Sequence, residues 1–151
     1  MRTKLRVNDV ERDLCRSSFF YFLKKFWHIV IAENPHYNFH IKYLCKRMQA
    51  VAERVFRGEE KKWDLVVNVP PGTSKSSIIS IFFPAWVWTR MPSARILGAS
   101  YTHNLALDLS RKCRDVVMSD EYRTMFPDVK IRSDQSNKSY FMNTKGGMRL
   151  S

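Results

Sequence analysis

Apolar positions along the chain follow first a helical period and then a strand-like one. Across residues 9–32, Val10, Leu14, Phe22, Phe26, Ile29 and Val30 fall near one face of a helix. Asn8 or Asp9 can cap its start, and Asn34-Pro35 ends it. Asn38 opens a second helix, in which Ile41, Leu44, Cys45, Met48, Ala52 and Val55 keep helical spacing. Lys42, Lys46, Arg47, Glu53 and Arg57 occupy its other side, which reads as a solvated face, and Gly58 suits the C-cap. The period then changes. Leu65-Val66-Val67-Asn68-Val69 is a short, mostly β-branched run of the kind that forms a buried parallel strand.

Pro70-Pro71-Gly72 breaks that run, because neither strand nor helix continues through it. Residues 75–91 are apolar almost all round, which predicts a helix sandwiched in the core and kinked or split at Pro84. Residues 94–101 read as a second strand, whose small C-terminal residues let another group approach closely. Thr102 caps a helix with Leu105, Leu109, Val116 and Val117 inward, and Ser119 starts a short helix that ends before Pro127. Residues 129–132, 139–143 and 148–151 read as short strands, the last two joined by a hairpin turn at Asn143-Thr144-Lys145-Gly146-Gly147. Strand, loop, helix, strand, helix makes one right-handed βαβ unit and its follow-on, hence an α/β fold. Ligands in such sheets sit at the carboxyl ends of the strands, where residues 70–76 and Ser100-Tyr101-Thr102 both fall.

Composition narrows the class. The chain has 151 residues, 44% hydrophobic and 26% charged, which suits one globular domain with a proper core. A net charge of +12 points to a polyanionic partner, and the basic surplus is six on either side of Leu65, so it is not a tail. Cys15, Cys45 and Cys113 are far apart, odd in number and set in helical patterns, which reads as reduced core thiols. His36 and His40, four apart, could share a helix face, but no third metal ligand lies nearby. The start lacks the apolar core of a secretory signal. The longest uncharged run, residues 76–89, has 14 residues, short of the roughly 20 that span a bilayer.

The candidate chemistry lies at the break. A strand, a tight loop, Lys75-Ser76 and an apolar helix are the layout of a phosphate-binding loop. Its residues are Pro71, Gly72, Thr73, Ser74, Lys75, Ser76 and Ser77. Backbone N–H groups from Gly72 to Ser77 would cradle phosphates, Lys75 would reach the β/γ-phosphates, and the Ser76 hydroxyl would hold Mg²⁺. Aligned to G-x-x-x-x-G-K-[ST], the chain has Val69 and Ser74 at the two glycine positions. The plainer reading is an ordinary strand-to-helix turn with one surface lysine.

From about Pro35 onward, the chain resembles the N-terminal part of the ATPase domain of tailed-phage terminase large subunits. The resemblance rests on His40-Ile41-Lys42-Tyr43-Leu44-Cys45, the segment 66–76, Phe82-Phe83-Pro84-Ala85-Trp86 before Arg90-Met91-Pro92, and Ala99-Ser100-Tyr101. Leu105-Ala106, Ser110-Arg111-Lys112-Cys113-Arg114 and the segment from Ser119-Asp120-Glu121-Tyr122 to Phe126-Pro127 extend it. It implies a RecA-like (ASCE) P-loop NTPase with an incomplete parallel sheet, a helical region at 1–62 and the first part of the ATPase domain at 63–151. It implies ATP and Mg²⁺ as cofactors, Lys75 as a catalytic residue and Ser76 as a Mg²⁺ ligand. The expected activity is ATP hydrolysis driving DNA packaging. Double-stranded DNA, a portal and a small terminase subunit are the expected partners. The full motor would form a homo-oligomeric ring at the procapsid in the host cytoplasm, away from membranes.

Two departures temper this. Many family members carry an arginine where this loop has Gly72. The strand ending in acidic residues that helps hold Mg²⁺ would come after Ser151, so the chain alone is expected to turn ATP over slowly or not at all. Asp120-Glu121 sits at a capped helix start and reads as structural. Another nucleic-acid ATPase such as a helicase, or a non-catalytic nucleotide- or DNA-binding fragment, fits the same residues.

Overall fold

The first apolar stretch folds as two helices, not the single helix its periodicity predicts. The computed structural model describes residues 7–133 and 140–151. Helices α1 (Val7–Ser17) and α2 (Phe19–Phe26) meet at Ser18, whose backbone is extended and whose Oγ accepts from the Tyr21 N–H. Gln49 spans the break. Its Oε1 accepts from the Phe19 N–H at 2.9 Å, and its Nε2 donates to the Ser17 carbonyl at 2.8 Å. One distant amide thus satisfies both helix ends. Phe22 and Phe26 of the predicted face are buried, but Val10 and Leu14 are exposed, and Cys15 takes the buried side of α1. A 3₁₀ turn, Trp27–Ile29, then closes the stretch short of residue 32. Gln49→Ala should cost about 1–2 kcal/mol, two net hydrogen bonds. Urea unfolding measures this, and a loss near zero would mean that water serves both ends equally well.

Helix α3 (Phe39–Phe56) follows the sequence pattern, with Ile41, Leu44, Cys45, Met48 and Ala52 buried, although Val55 is exposed. Gly58 closes it in the left-handed conformation, donating to the Val55 carbonyl while Glu59 donates to Arg54. His36 precedes α3, so His36 and His40 do not share a helix face.

The predicted strand at 65–69 forms no ladder. Leu65, Val67 and Val69 are half-buried, and Val66 and Asn68 are exposed, so the alternation of a strand is present without its pairing. A parallel strand needs a neighbour, and among the described residues none lies beside it. The βαβ unit expected between this run and the next strand is therefore not formed.

Helix α4 (Lys75–Ser77), a π-helical segment (Ile78–Phe82) and α5 (Phe83–Arg90) run on without interruption. Pro84 does not split them. It sits in the first turn of α5, and the Phe83 N–H reaches back five residues to Ile78, widening the turn so that the missing donor is absorbed. This helical run is buried, as its composition predicts, with Ile78, Ile81, Phe82, Ala85, Trp86 and Trp88 almost fully enclosed.

Strand β1 (Arg95–Leu97) is shorter than the predicted 94–101. It pairs in parallel with β3 (Met148–Leu150), which pairs antiparallel with β2 (Tyr140–Met142), giving the order β1-β3-β2. The predicted start of β2 at Ser139 lies outside the described residues. The predicted strand at 129–132 is reduced to one bridge, Ile131 to Asn143. The hairpin turn forms around buried Asn143, whose Oδ1 accepts from the Lys145 and Gly147 N–H groups and whose Nδ2 donates to the Pro92 carbonyl.

Helices α6 (His103–Met118) and α7 (Asp120–Met125) begin at the predicted caps, Thr102 and Ser119, whose hydroxyls accept from the Leu105 and Tyr122 N–H groups. Leu105 points outward, contrary to its expected place, and Ala106, Ser110 and Cys113 face inward with Val116 and Val117. One core joins residues on both sides of position 62. Trp86 packs on Phe19 and Phe56 and donates to the Cys15 carbonyl at 2.9 Å. Among the described residues, no helix is long and apolar enough to cross a membrane.

Candidate phosphate-binding loop

Residues 70–77 carry the most distinctive backbone in the chain. Gly72 (φ 79°) and Ser74 (φ 59°) are both left-handed, and Ser74 is the one non-glycine in that region among the described residues. Holding serine there costs about 1 kcal/mol or more relative to glycine, so Ser74 takes the conformation of the glycine it replaces in the usual pattern. Gly72 supplies the second left-handed turn two residues upstream. Thr73 locks the loop by donating from Oγ1 to the Pro70 carbonyl at 2.8 Å, and the Ile78 N–H accepts the role of first helical donor, reaching the Ser74 carbonyl at 3.0 Å.

The consequence is a run of free donors. Among the described residues, the N–H groups of Gly72, Thr73, Ser74, Lys75, Ser76 and Ser77 reach no protein acceptor. Successive donors in turn and left-handed conformations form a concavity suited to anions, and here it opens on the positive end of a helical run. Lys75 is half-buried at the first helical position, and no carboxylate pairs with it among the described residues. Ser76 is exposed beside it, free to offer its hydroxyl to a hydrated cation. Pro71, which has no N–H, fixes the entry to the loop.

Two cavities border the loop. The larger, about 680 Å³, lies between the unpaired run 65–70 and the α3 residues Phe39, His40 and Tyr43, and touches Thr73. The smaller, about 300 Å³, lies between Gly72-Thr73-Ser74 and the segment holding Asn34, His36 and Asn38. His40 borders both, and its Nε2 is sealed without a partner.

Other candidate residues stay apart from this place. Ser100, Tyr101 and Thr102 are exposed beyond β1 and line neither cavity, and Thr102 is occupied as a cap. Asp120 and Glu121 open α7, where Glu121 faces His28 at 3.4 Å, in keeping with a structural part. Arg111 pairs with Asp108. No group of three metal-ligating side chains occurs among the described residues. Burial pushes the Cys15 and Cys45 thiols up to about 12 and the Cys113 thiol to about 11, which makes all three unreactive. Sequence reasoning missed Arg149, buried in the middle of β3. A three-residue strand is too short for alternation to reveal which way its arginine points.

No protein-family model, curated protein or solved structure matches this chain.

Proposed function

We propose that this chain is the ATP-binding part of a DNA-packaging motor of the terminase large-subunit type. The observation that supports it best is the loop itself. Left-handed Gly72 and Ser74 leave six backbone donors unengaged ahead of Lys75 and a buried helical run. In this reading the Gly72 to Ser77 amides cradle the phosphates, Lys75 offsets β/γ-phosphate charge, and Ser76 binds Mg²⁺. The even basic surplus suits duplex DNA, and the portal, small subunit and ring belong to the same proposal.

The reading implies weak catalysis by these residues alone. Phosphoryl transfer needs a positioned nucleophile and cancellation of developing charge as well as a cradle. Among the described residues, the two cavities at the loop are lined by one arginine, Arg47 in the larger, and one carboxylate, Glu33 in the smaller, so no single cavity holds both. An absent arginine finger alone can cost 10³–10⁵ in rate. Turnover by the purified chain should stay below about one per second, the low end of ordinary enzyme rates. Phosphate release measures it, and faster turnover would place an acid and an arginine among residues read here as structural, Asp120, Glu121 and Arg111 first. DNA binding should be independent of sequence and fall steeply with salt, as fluorescence anisotropy on two unrelated duplexes would report. A flat salt dependence would remove DNA from the proposal.

A further inference from the structure

Arg149 is only 3% exposed, yet no carboxylate pairs with it among the described residues and its Nε is sealed without a hydrogen-bond partner. An arginine stays charged at any ordinary pH, and an unpaired buried charge is among the costliest features a fold can carry. Its position is built. Arg149 lies between Ile96 of β1 and Phe141 of β2 in the register of the sheet. Its guanidinium rests against Gly98 just past β1, where any Cβ would stand 2.8 Å from Nη2 and 3.1 Å from Cζ. The small residue at the end of this strand is thus what lets the arginine in. On the side of α6, the charge reaches Cys113, where it opposes the upward push of burial on the thiol.

We propose that Arg149 is the receptor for a phosphate-type oxyanion at the carboxyl end of β1, where its guanidinium lies beside Gly98. A guanidinium offers a planar fork of donors that matches two oxygens of such an anion. The site is separate from the loop at 70–77 and does not rest on the nucleotide reading. Free phosphate and the phosphate of a nucleotide share this chemistry.

The test is thermal unfolding of the intact chain in inorganic phosphate against chloride at matched ionic strength, for wild type, Arg149→Met and Lys75→Ala. Phosphate at about a hundredfold excess over its Kd should raise the wild-type midpoint by about 5–10 °C. Arg149→Met should lose the part of that shift not owed to the loop at 70–77, while its phosphate-free midpoint stays level or rises, because an apolar side chain of similar size replaces an unpaired charge. Lys75→Ala should keep the part of the shift that Arg149→Met loses. A shift undiminished in Arg149→Met, one that disappears in Lys75→Ala, or none in wild type would overturn the proposal. So would a lower phosphate-free midpoint in Arg149→Met, which would make the arginine a structural member of the core, or an equal shift from acetate. If ATP acts through Arg149 at lower concentration than phosphate, the source is a nucleotide; equal potency assigns free phosphate, and both support the site.

Discussion

Lys75→Ala should bind MgATP roughly ten- to hundredfold more weakly than wild type, a loss of about 1.5–3 kcal/mol for one charge-assisted contact. The side chain is half-buried at the start of a helical run and has no carboxylate partner among the described residues. Removing it therefore breaks no ion pair and leaves no orphaned acid, so the loss should appear in affinity and not in stability. The pair of measurements is calorimetric titration and urea unfolding of both proteins. Equal affinities would mean that Lys75 is an ordinary surface lysine at a strand-to-helix turn. Equal loss of affinity and stability would mean that the substitution acts by deforming the loop.

Trp86→Ala should have the largest effect on folding, about 3–5 kcal/mol. The indole is fully buried, packs against Phe19, Phe56 and Phe83, and donates to the Cys15 carbonyl at 2.9 Å. Truncation leaves a cavity among three rings and strips the carbonyl of its partner, and both penalties fall where α1, α2, α3 and α5 meet. Against a usual total of 5–15 kcal/mol, this removes a large share of the stability of the fold. Chemical denaturation measures it. A cost under about 1 kcal/mol would mean that the helical region and the rest of the chain do not share one core.

Helices α3, α6 and α7 and the hairpin at Asn143 were legible because their information is local. Periodicity, Thr102, Ser119 and Gly58 as caps, and Asn and Gly in the turn lie within a few residues of what they determine. What was not legible depends on distant partners. The break at Ser18 is held by Gln49, thirty positions from Phe19, and nothing in residues 9–32 announces it. The run 65–69 has the composition of a strand, but pairing is a property of neighbours and not of the run. Pro84 announced a distortion in a buried helix but not its form, since a widened π turn and a kink both accommodate a missing donor.

The candidate site divides in the same way. Pro70-Pro71-Gly72 and Lys75-Ser76 located the loop, and Ser74 looked like a defect in its pattern. The left-handed backbone at Ser74 reconciles residue and position, which no reading of residue types alone could do. Arg149 escaped notice because a lone arginine in a basic chain is unremarkable until its burial and lack of a partner are known.

Titration of the intact chain with ATP, ADP and AMP in the presence of Mg²⁺, followed by calorimetry, tests the nucleotide reading most directly. A cradle for the β- and γ-phosphates predicts saturable binding at one site, tightest for ATP, weaker for ADP and weakest for AMP. Equal affinity for ATP and AMP, or no saturable heat at millimolar nucleotide, would contradict it.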